Sequence, residues 1–244
     1  GVGVTRGGAT RWFVLPFGMV FEPSELLKLS LPLVMASFLA YSRHDFIHRN
    51  FGQWSGLARL FIIVAPLVFL LKQPDFGGFS ICMLVTICLL FAFGLQLRWI
   101  AIAGAAVVPG FYFLVMHVPY RWARVQAFLD PWSDPGQKGF QLIQSMLSFQ
   151  SGGLTGVGLG QGQGKLFFLP EAHTDFTLAV LGEEMGFIGV AFVILLFSFL
   201  ILRGLQIAYK SDHVFCKAAS LGLTLNFAFA AFINCSVVLG LLPT

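Results

Sequence analysis

The sequence predicts an all-α protein, a polytopic bundle of about six membrane-spanning helices, and three observations carry that expectation. Of its 244 residues, 57% are hydrophobic and only 11% charged, with a mean hydropathy of +0.83. Soluble domains carry roughly 25% charged residues, so the deficit selects an integral membrane protein. The apolar residues also fall into runs near the roughly 20 that a helical span needs, while the short alternating strands of an outer-membrane barrel are absent. Third, one long connection, 117–175, is rich in aromatic residues, a composition unlike that of a disordered linker.

The predicted spans are 26–41, 57–71, 79–97, 99–116, 176–202 and 214–241, and residues 1–244 read as a single membrane domain. Pro23 suits a first helical turn, and Glu25 suits the positive end of the same helix. The last two runs exceed the length a span needs, which calls for tilt or for a stretch outside the hydrocarbon. Short-loop lysine and arginine set the orientation. Arg43, Arg49 and Arg59 follow the first span, Arg98 sits between the third and fourth, and Arg203, Lys210 and Lys217 lie between the fifth and sixth. These loops read as cytoplasmic, leaving both termini and the large 117–175 loop on the outer face. Residues 1–22 lack the basic head and apolar core of a signal peptide.

Connections beyond about 15 residues are usually functional or disordered. Trp122, Phe128, Trp132, Phe140, Phe149, Phe167 and Phe168 argue for function here. Residues 140–150 place Gln141, Gln144, Ser145 and Ser148 on one helical side, predicting an interfacial or re-entrant helix, with an ordinary surface helix as the alternative. The following run from Ser151 to Lys165 is dense in glycine, which lets backbone N–H groups approach an anion. It lacks the Ser/Thr after Lys165 and the preceding strand of a P-loop, and reads more simply as a flexible turn.

The chemistry gathers in Pro170-Glu-Ala-His-Thr-Asp-Phe176, which opens into the fifth span, with Glu183 and Glu184 two turns further on. Charged groups at a membrane are costly unless they face water or a partner, so by default they mark function. Asp175 is the leading candidate for a general base. An aspartate before a helix is also a good N-cap, worth about 1 kcal/mol, but capping does not explain why Glu171 and His173 crowd the same place. Neighbouring carboxylates raise one another's pKa, which tunes one toward base catalysis. One of Glu183 and Glu184 is expected to pair with a cation on another span, Lys28 being nominated, and Gly182, Gly186 and Gly189 to form a small-residue packing face. Trp12 reads as an interfacial anchor, and the planar fork of Arg11 suits phosphate oxygens. His117 and His173 have no zinc-ligand spacing. The four cysteines read as small buried hydrophobes, and the scattered net charge of +4 offers no basic block for nucleic acid.

Several strings in order resemble the SEDS family (shape, elongation, division and sporulation; FtsW, RodA and SpoVE-like proteins), its division members most. They are Gly8-Ala-Thr-Arg-Trp12, Pro23-Ser-Glu25 with Lys28, Gln73-Pro-Asp75-Phe-Gly77, Arg121, Phe128-Leu-Asp-Pro131 and Asp134-Pro135. Gln141, Gln144-Ser145, Gly152-Gly153, the specific Leu169-Pro-Glu-Ala-His-Thr-Asp-Phe176, Gly182-Glu-Glu184 and Gly186 continue the pattern. Glu22 departs from it, standing where relatives usually have glutamine. Family members have about ten spans, so the chain is expected to lack the first three and the last.

The resemblance implies a peptidoglycan glycosyltransferase in the bacterial cytoplasmic (inner) membrane, its site facing the periplasm or outside. Its substrate would be lipid II, and its partners a class B penicillin-binding protein and other divisome proteins. On this reading Asp175 takes the proton of the attacking sugar hydroxyl. Arg11, Arg121, Lys165 or a divalent cation (Mg or Mn) offsets the leaving pyrophosphate; no cofactor is certain and no metal ligand is assigned. Trp12, Lys28, Gln144, Glu171, His173 and Glu184 complete the substrate-binding candidates. Two alternatives stand beside it: a lipid II flippase, with Lys28, Glu184 and Arg11 along a headgroup path, and a non-catalytic scaffold recruiting a transpeptidase.

Overall fold

Apolar side chains four residues apart build the first helix pair. In the computed structural model, which describes residues 3–6, 9–14, 20–47, 65–70, 76–116, 119–133, 139–162 and 176–243, helix α1 (Pro23–Ile47) buries Leu31, Met35 and Leu39. Helix α2 (Phe76–Ala92) buries Ile81, Val85 and Leu89 at the same spacing, and the two stripes belong to one contact. Then come α3 (Leu97–Met116), α4 (Pro119–Leu129), a 3-10 turn at Pro131–Ser133, α5 (Phe140–Gly152), α6 (Thr177–Lys210) and α7 (Val214–Val238).

The helical membrane architecture is as the sequence predicted. Pro23–Ala40, Thr177–Lys210 and Val214–Val238 are each long and apolar enough to cross a bilayer, and Gly77–Ala92 is a shorter apolar helix. Helix α3 falls on the expected 99–116 span. Of the 57–71 span only 65–70 is described, and it is helical. Hydroxyls inside the apolar helices bond back to carbonyls four residues earlier, Thr86 to Cys82 at 2.7 Å and Thr224 to Ser220 at 2.7 Å. That satisfies them without water.

One expectation is corrected at the N-terminus, where short strands do occur. β1 (Gly3–Arg6), β2 (Ala9–Val14) and β3 (Val20–Phe21) form an antiparallel sheet in the order β1-β2-β3, with an irregularity between Val4 and Thr5. The local signal was a run of β-branched and aromatic residues on both sides of a Gly-Gly pair, a hairpin signature. It was overlooked beside the much stronger hydropathy.

The chain divides into two compact units, residues 1–101 with 201–230, and 102–200 with 231–244. In the first, the sheet precedes the α1–α2 pair, and Gly222 of α7 fits against Pro32 and Leu89. In the second, the core is Phe176, Leu178, Ala179, Val180, Val190 and Val238, with Phe149, Leu181, Val193 and Cys235 packed on it.

Helix α5 occupies nearly the predicted residues, but its sidedness does not follow polarity. Ser145 and Ser148 are buried with Leu142 and Ile143, while Met146 and Leu147 are exposed. The reason is a carbonyl: Ser145 Oγ donates 2.6 Å to the Val238 carbonyl oxygen. An apolar outer face on a helix of this length still suits an interfacial or re-entrant element.

Candidate active site at a broken helix

Helix α6 is two helices joined at Gly186, whose backbone (φ 65, ψ −164) is not helical. That conformation is open essentially to glycine alone. The apolar run beyond the break, 187–202, extends about 24 Å at roughly 1.5 Å per residue. That is most of the roughly 30 Å of a hydrocarbon core, and the helix continues from Arg203 to Lys210. Glu183 and Glu184, which the sequence places inside the span, sit on the other side of the break.

A break exposes backbone groups that a continuous helix would pair, and the glycine-rich run meets them. Val157 N–H donates to the Glu183 carbonyl (3.0 Å) and Gly158 N–H to that of Glu184 (3.1 Å). Beyond the break, Phe187 N–H donates to the Gly153 carbonyl (2.9 Å) and Ile188 N–H to that of Leu154 (3.2 Å). Irregular backbone at a membrane is tolerated where protein satisfies it in this way. The approach is so close that a Cβ on Gly156 would lie 2.1 Å from the Glu184 carbonyl oxygen, and one on Gly186 2.4 Å from the Gly156 nitrogen. The run is thus a clasp, not the flexible turn expected from composition. Its N–H groups at 157 and 158 face carbonyls, not an anion.

The clasp brings two acids to one place. Glu183 and Glu184 are 6% and 7% exposed, and a Cβ on Gly162 would lie 3.1 Å from Glu183 Oε2 and 3.2 Å from Glu184 Oε1. Both carboxylates therefore flank the last described residue before 163–175. Gly182 supplies the expected small-residue contact, since a Cβ there would meet the Phe149 ring at 2.4 Å. Gly186 serves the break instead.

Asp175, Glu171, His173 and Lys165 lie outside the described residues. The start of α6 nevertheless bears on Asp175. The Phe176 carbonyl accepts the first helical hydrogen bonds, from Ala179 N–H (2.9 Å) and Val180 N–H (3.3 Å). Phe176 is therefore the N-cap residue, and Asp175 precedes the cap in sequence.

The other candidates divide between the two units. Arg11 and Trp12 fall in β2 and Arg121 in α4. Lys28 Nζ lies 2.5 Å from Glu25 Oε1 on its own helix, so the cation nominated for Glu183 or Glu184 already has an acidic neighbour one turn away. Gln144 is half-buried on α5. A groove of about 500 Å³, lined by Trp122, Gln126, Leu129, Asp130 and Ser133 between α4 and the 3-10 turn, was not anticipated. Trp122 and the Phe128-Leu-Asp-Pro131 string were its only signals. Among the described residues, no three His, Cys, Asp or Glu side chains gather as metal ligands.

These features define a multi-pass helical membrane protein whose broken helix is gripped by a glycine-rich loop. The chain belongs to the FtsW/RodA/SpoVE family of cell cycle proteins, whose pattern it matches over residues 2–244. It is 43% identical over 244 residues to the probable peptidoglycan glycosyltransferase FtsW of Geobacter sulfurreducens, covering all of this chain and 64% of that protein. The corresponding Legionella pneumophila protein is 40% identical over 248 residues, with 62% of it covered. The chain thus spans just under two thirds of the length of the curated relatives it matches. Among solved structures, a chain of a peptidoglycan synthase complex that coordinates polymerization and crosslinking aligns over all of this chain and 66% of its own, with TM-score 0.74 and 30% identity. The rod shape determining protein RodA of Thermus thermophilus aligns over 98% of this chain and 60% of its own, with TM-score 0.62 and 25% identity.

Proposed function

We propose that this chain carries the catalytic part of a peptidoglycan glycosyltransferase that polymerises lipid II during cell division, in the bacterial inner membrane with its site on the outer face. The observation that carries the reading is the break at Gly186, which sets an acid-bearing stretch apart from the apolar length of the same helix. The relatives named as glycosyltransferases support it. A sugar hydroxyl attacks the anomeric carbon of a lipid-pyrophosphate sugar with inversion: the new C–O bond forms as the bond to pyrophosphate breaks. Asp175 takes the hydroxyl proton. The N-cap position falls on Phe176, one residue after Asp175 in sequence, which favours a role for Asp175 other than capping.

The departing pyrophosphate carries the developing charge, and stabilising it dominates such steps. Arg11, Arg121 and Lys165 supply positive charge, and an Mg or Mn ion held by the pyrophosphate would add to it. Trp12, Lys28, Gln144, Glu171, His173 and Glu184 line or orient the substrates. The groove at Trp122 and Asp130 offers an indole, an amide, a hydroxyl and a carboxylate beside Arg121 in sequence. A class B penicillin-binding protein and other divisome proteins are the partners this reading implies.

The test is glycan polymer formation from lipid II by the full-length protein in detergent micelles, where transport between leaflets has no meaning. Asp175→Asn and Asp175→Ser are both expected to lose at least about 100-fold in rate, in line with the contribution of a general base. Serine can still cap a helix, so a folded Asp175→Ser protein working at the normal rate overturns the assignment.

A further inference from the structure

The glycine-rich clasp combines a bonded backbone with protruding apolar side chains. Leu154, Val157 and Leu159 are 72%, 41% and 75% exposed, and Phe187 and Ile188, beside them across the clasp, are 66% and 61% exposed. Meanwhile the loop's main chain is occupied. Gly156 N–H donates to the Gly152 carbonyl (2.7 Å), Gln161 N–H to that of Gly158 (3.2 Å), and the four clasp bonds take the groups at 153, 154, 157 and 158. A loop bathed in water has the opposite economy, leaving its backbone to solvent and its side chains polar. Satisfied backbone with outward apolar side chains is what hydrocarbon demands.

What covers these side chains follows from continuity. Two clasp bonds tie 153 and 154 to Phe187 and Ile188, the first residues of the apolar run 187–202 beyond the break. Along that stretch Phe192, Leu195 and Phe199 are also exposed, forming the face an apolar span turns to lipid. The loop's apolar side chains extend that face past the break. We propose that residues 153–160 are seated in the edge of the bilayer, with Leu154, Val157 and Leu159 among lipid acyl chains. The clasp thereby fixes the height of Gly162 relative to the headgroups. The inference rests on the membrane-spanning helices, not on the proposed reaction, so the two stand or fall separately.

The experiment uses the full-length protein in phosphatidylcholine–phosphatidylglycerol nanodiscs, with Cys82, Cys88, Cys216 and Cys235 replaced by alanine. Nitroxide labels are placed on Leu154→Cys, Val157→Cys and Leu159→Cys, with Phe199→Cys as the lipid-facing control and Asp212→Cys as the aqueous one. At 154 and 159 the collision ratio of oxygen to a water-soluble nickel chelate is expected several-fold above that at 212 and near that at 199. A ratio like that at 212 places the loop in water and overturns the proposal. Low collision with both reagents means protein covers the loop and overturns it equally. Unsubstituted protein provides an independent reading: a lipid with a photoreactive group on its acyl chain is expected to label peptide 153–160, and labelling confined to other peptides counts against the idea.

Discussion

Helices α6 and α7 are made of similar material, apolar and 34 and 25 residues long, and both exceed what a bilayer requires. Only α6 is broken. Helix α7 runs through its glycine and hydroxyls without interruption: Gly222 fits between Pro32 and Leu89, Thr224 bonds to its own helix, and the end is held by Ser145. Helix α6 stops at Gly186, turns its first residues into the core of the second unit, and hands its unpaired backbone to a loop. The lesson is that length alone does not interrupt an apolar helix. A glycine with a dedicated backbone partner does, and here it sets Glu183 and Glu184 beside Gly162.

The sharpest way to break this comparison is one methyl group in each helix. Gly186→Ala forces alanine into a glycine-only backbone and drives its Cβ to 2.5 Å from the Leu154 carbonyl oxygen. A loss of about 3 kcal/mol or more is expected, seen as collapse of folded yield in size-exclusion profiles. Gly156→Ala should behave likewise, because its Cβ meets the main chain of Glu184 and Met185. Gly222→Ala in α7 keeps an ordinary helical backbone and meets Pro32 Cβ at 2.9 Å, Leu89 Cδ1 at 3.0 Å and Pro32 Cα at 3.5 Å, of which only the Leu side chain can readily yield. About 1 kcal/mol is expected there. Equal losses at 186 and 222 would remove the distinction between the helices.

Ser145→Ala tests how α7 is held at its end. It leaves the Val238 carbonyl without its hydroxyl donor, for a loss of about 1 kcal/mol and a fall in Tm of roughly 2–4 °C by thermal scanning. Lys28→Ala should change stability least, by about 0.5 kcal/mol or less, because its partner Glu25 is largely exposed. A raised KM for lipid II with an unchanged Tm is the expected result in the full-length protein. A large fall in Tm would make Lys28 a structural residue.

The spans were legible because hydropathy over twenty residues overwhelms any local irregularity, and α5 was legible from the helical spacing of Gln141, Gln144, Ser145 and Ser148. The break was not. Gly186 in an apolar run reads equally well as a packing residue, and what fixes it is the main chain of residues more than twenty-five positions away. The glycine run was misread for the same reason: its N–H groups were available for an anion in sequence terms, but carbonyls at 183 and 184 take them. The inward turn of Ser145 depended on a carbonyl at 238, which no local pattern announces. Of the candidate site, the Asp175 string stands out in sequence by its charge beside an apolar run, and it lies outside the described residues. Choosing between base and cap there turns on which carbonyl starts the helix, a detail finer than propensity resolves.

The four bonds of the clasp pair 153 with 187, 154 with 188, 157 with 183 and 158 with 184. From the first pair of rungs to the second the loop advances four residues while the helix steps back four, across Gly186. Dropping or adding a single residue between 154 and 157 shifts one pair of rungs against the other, and no side-chain adjustment can restore both. Peptide tags, protease sites and other insertions therefore belong elsewhere in the chain, because this short stretch is fixed in length as well as at Gly156.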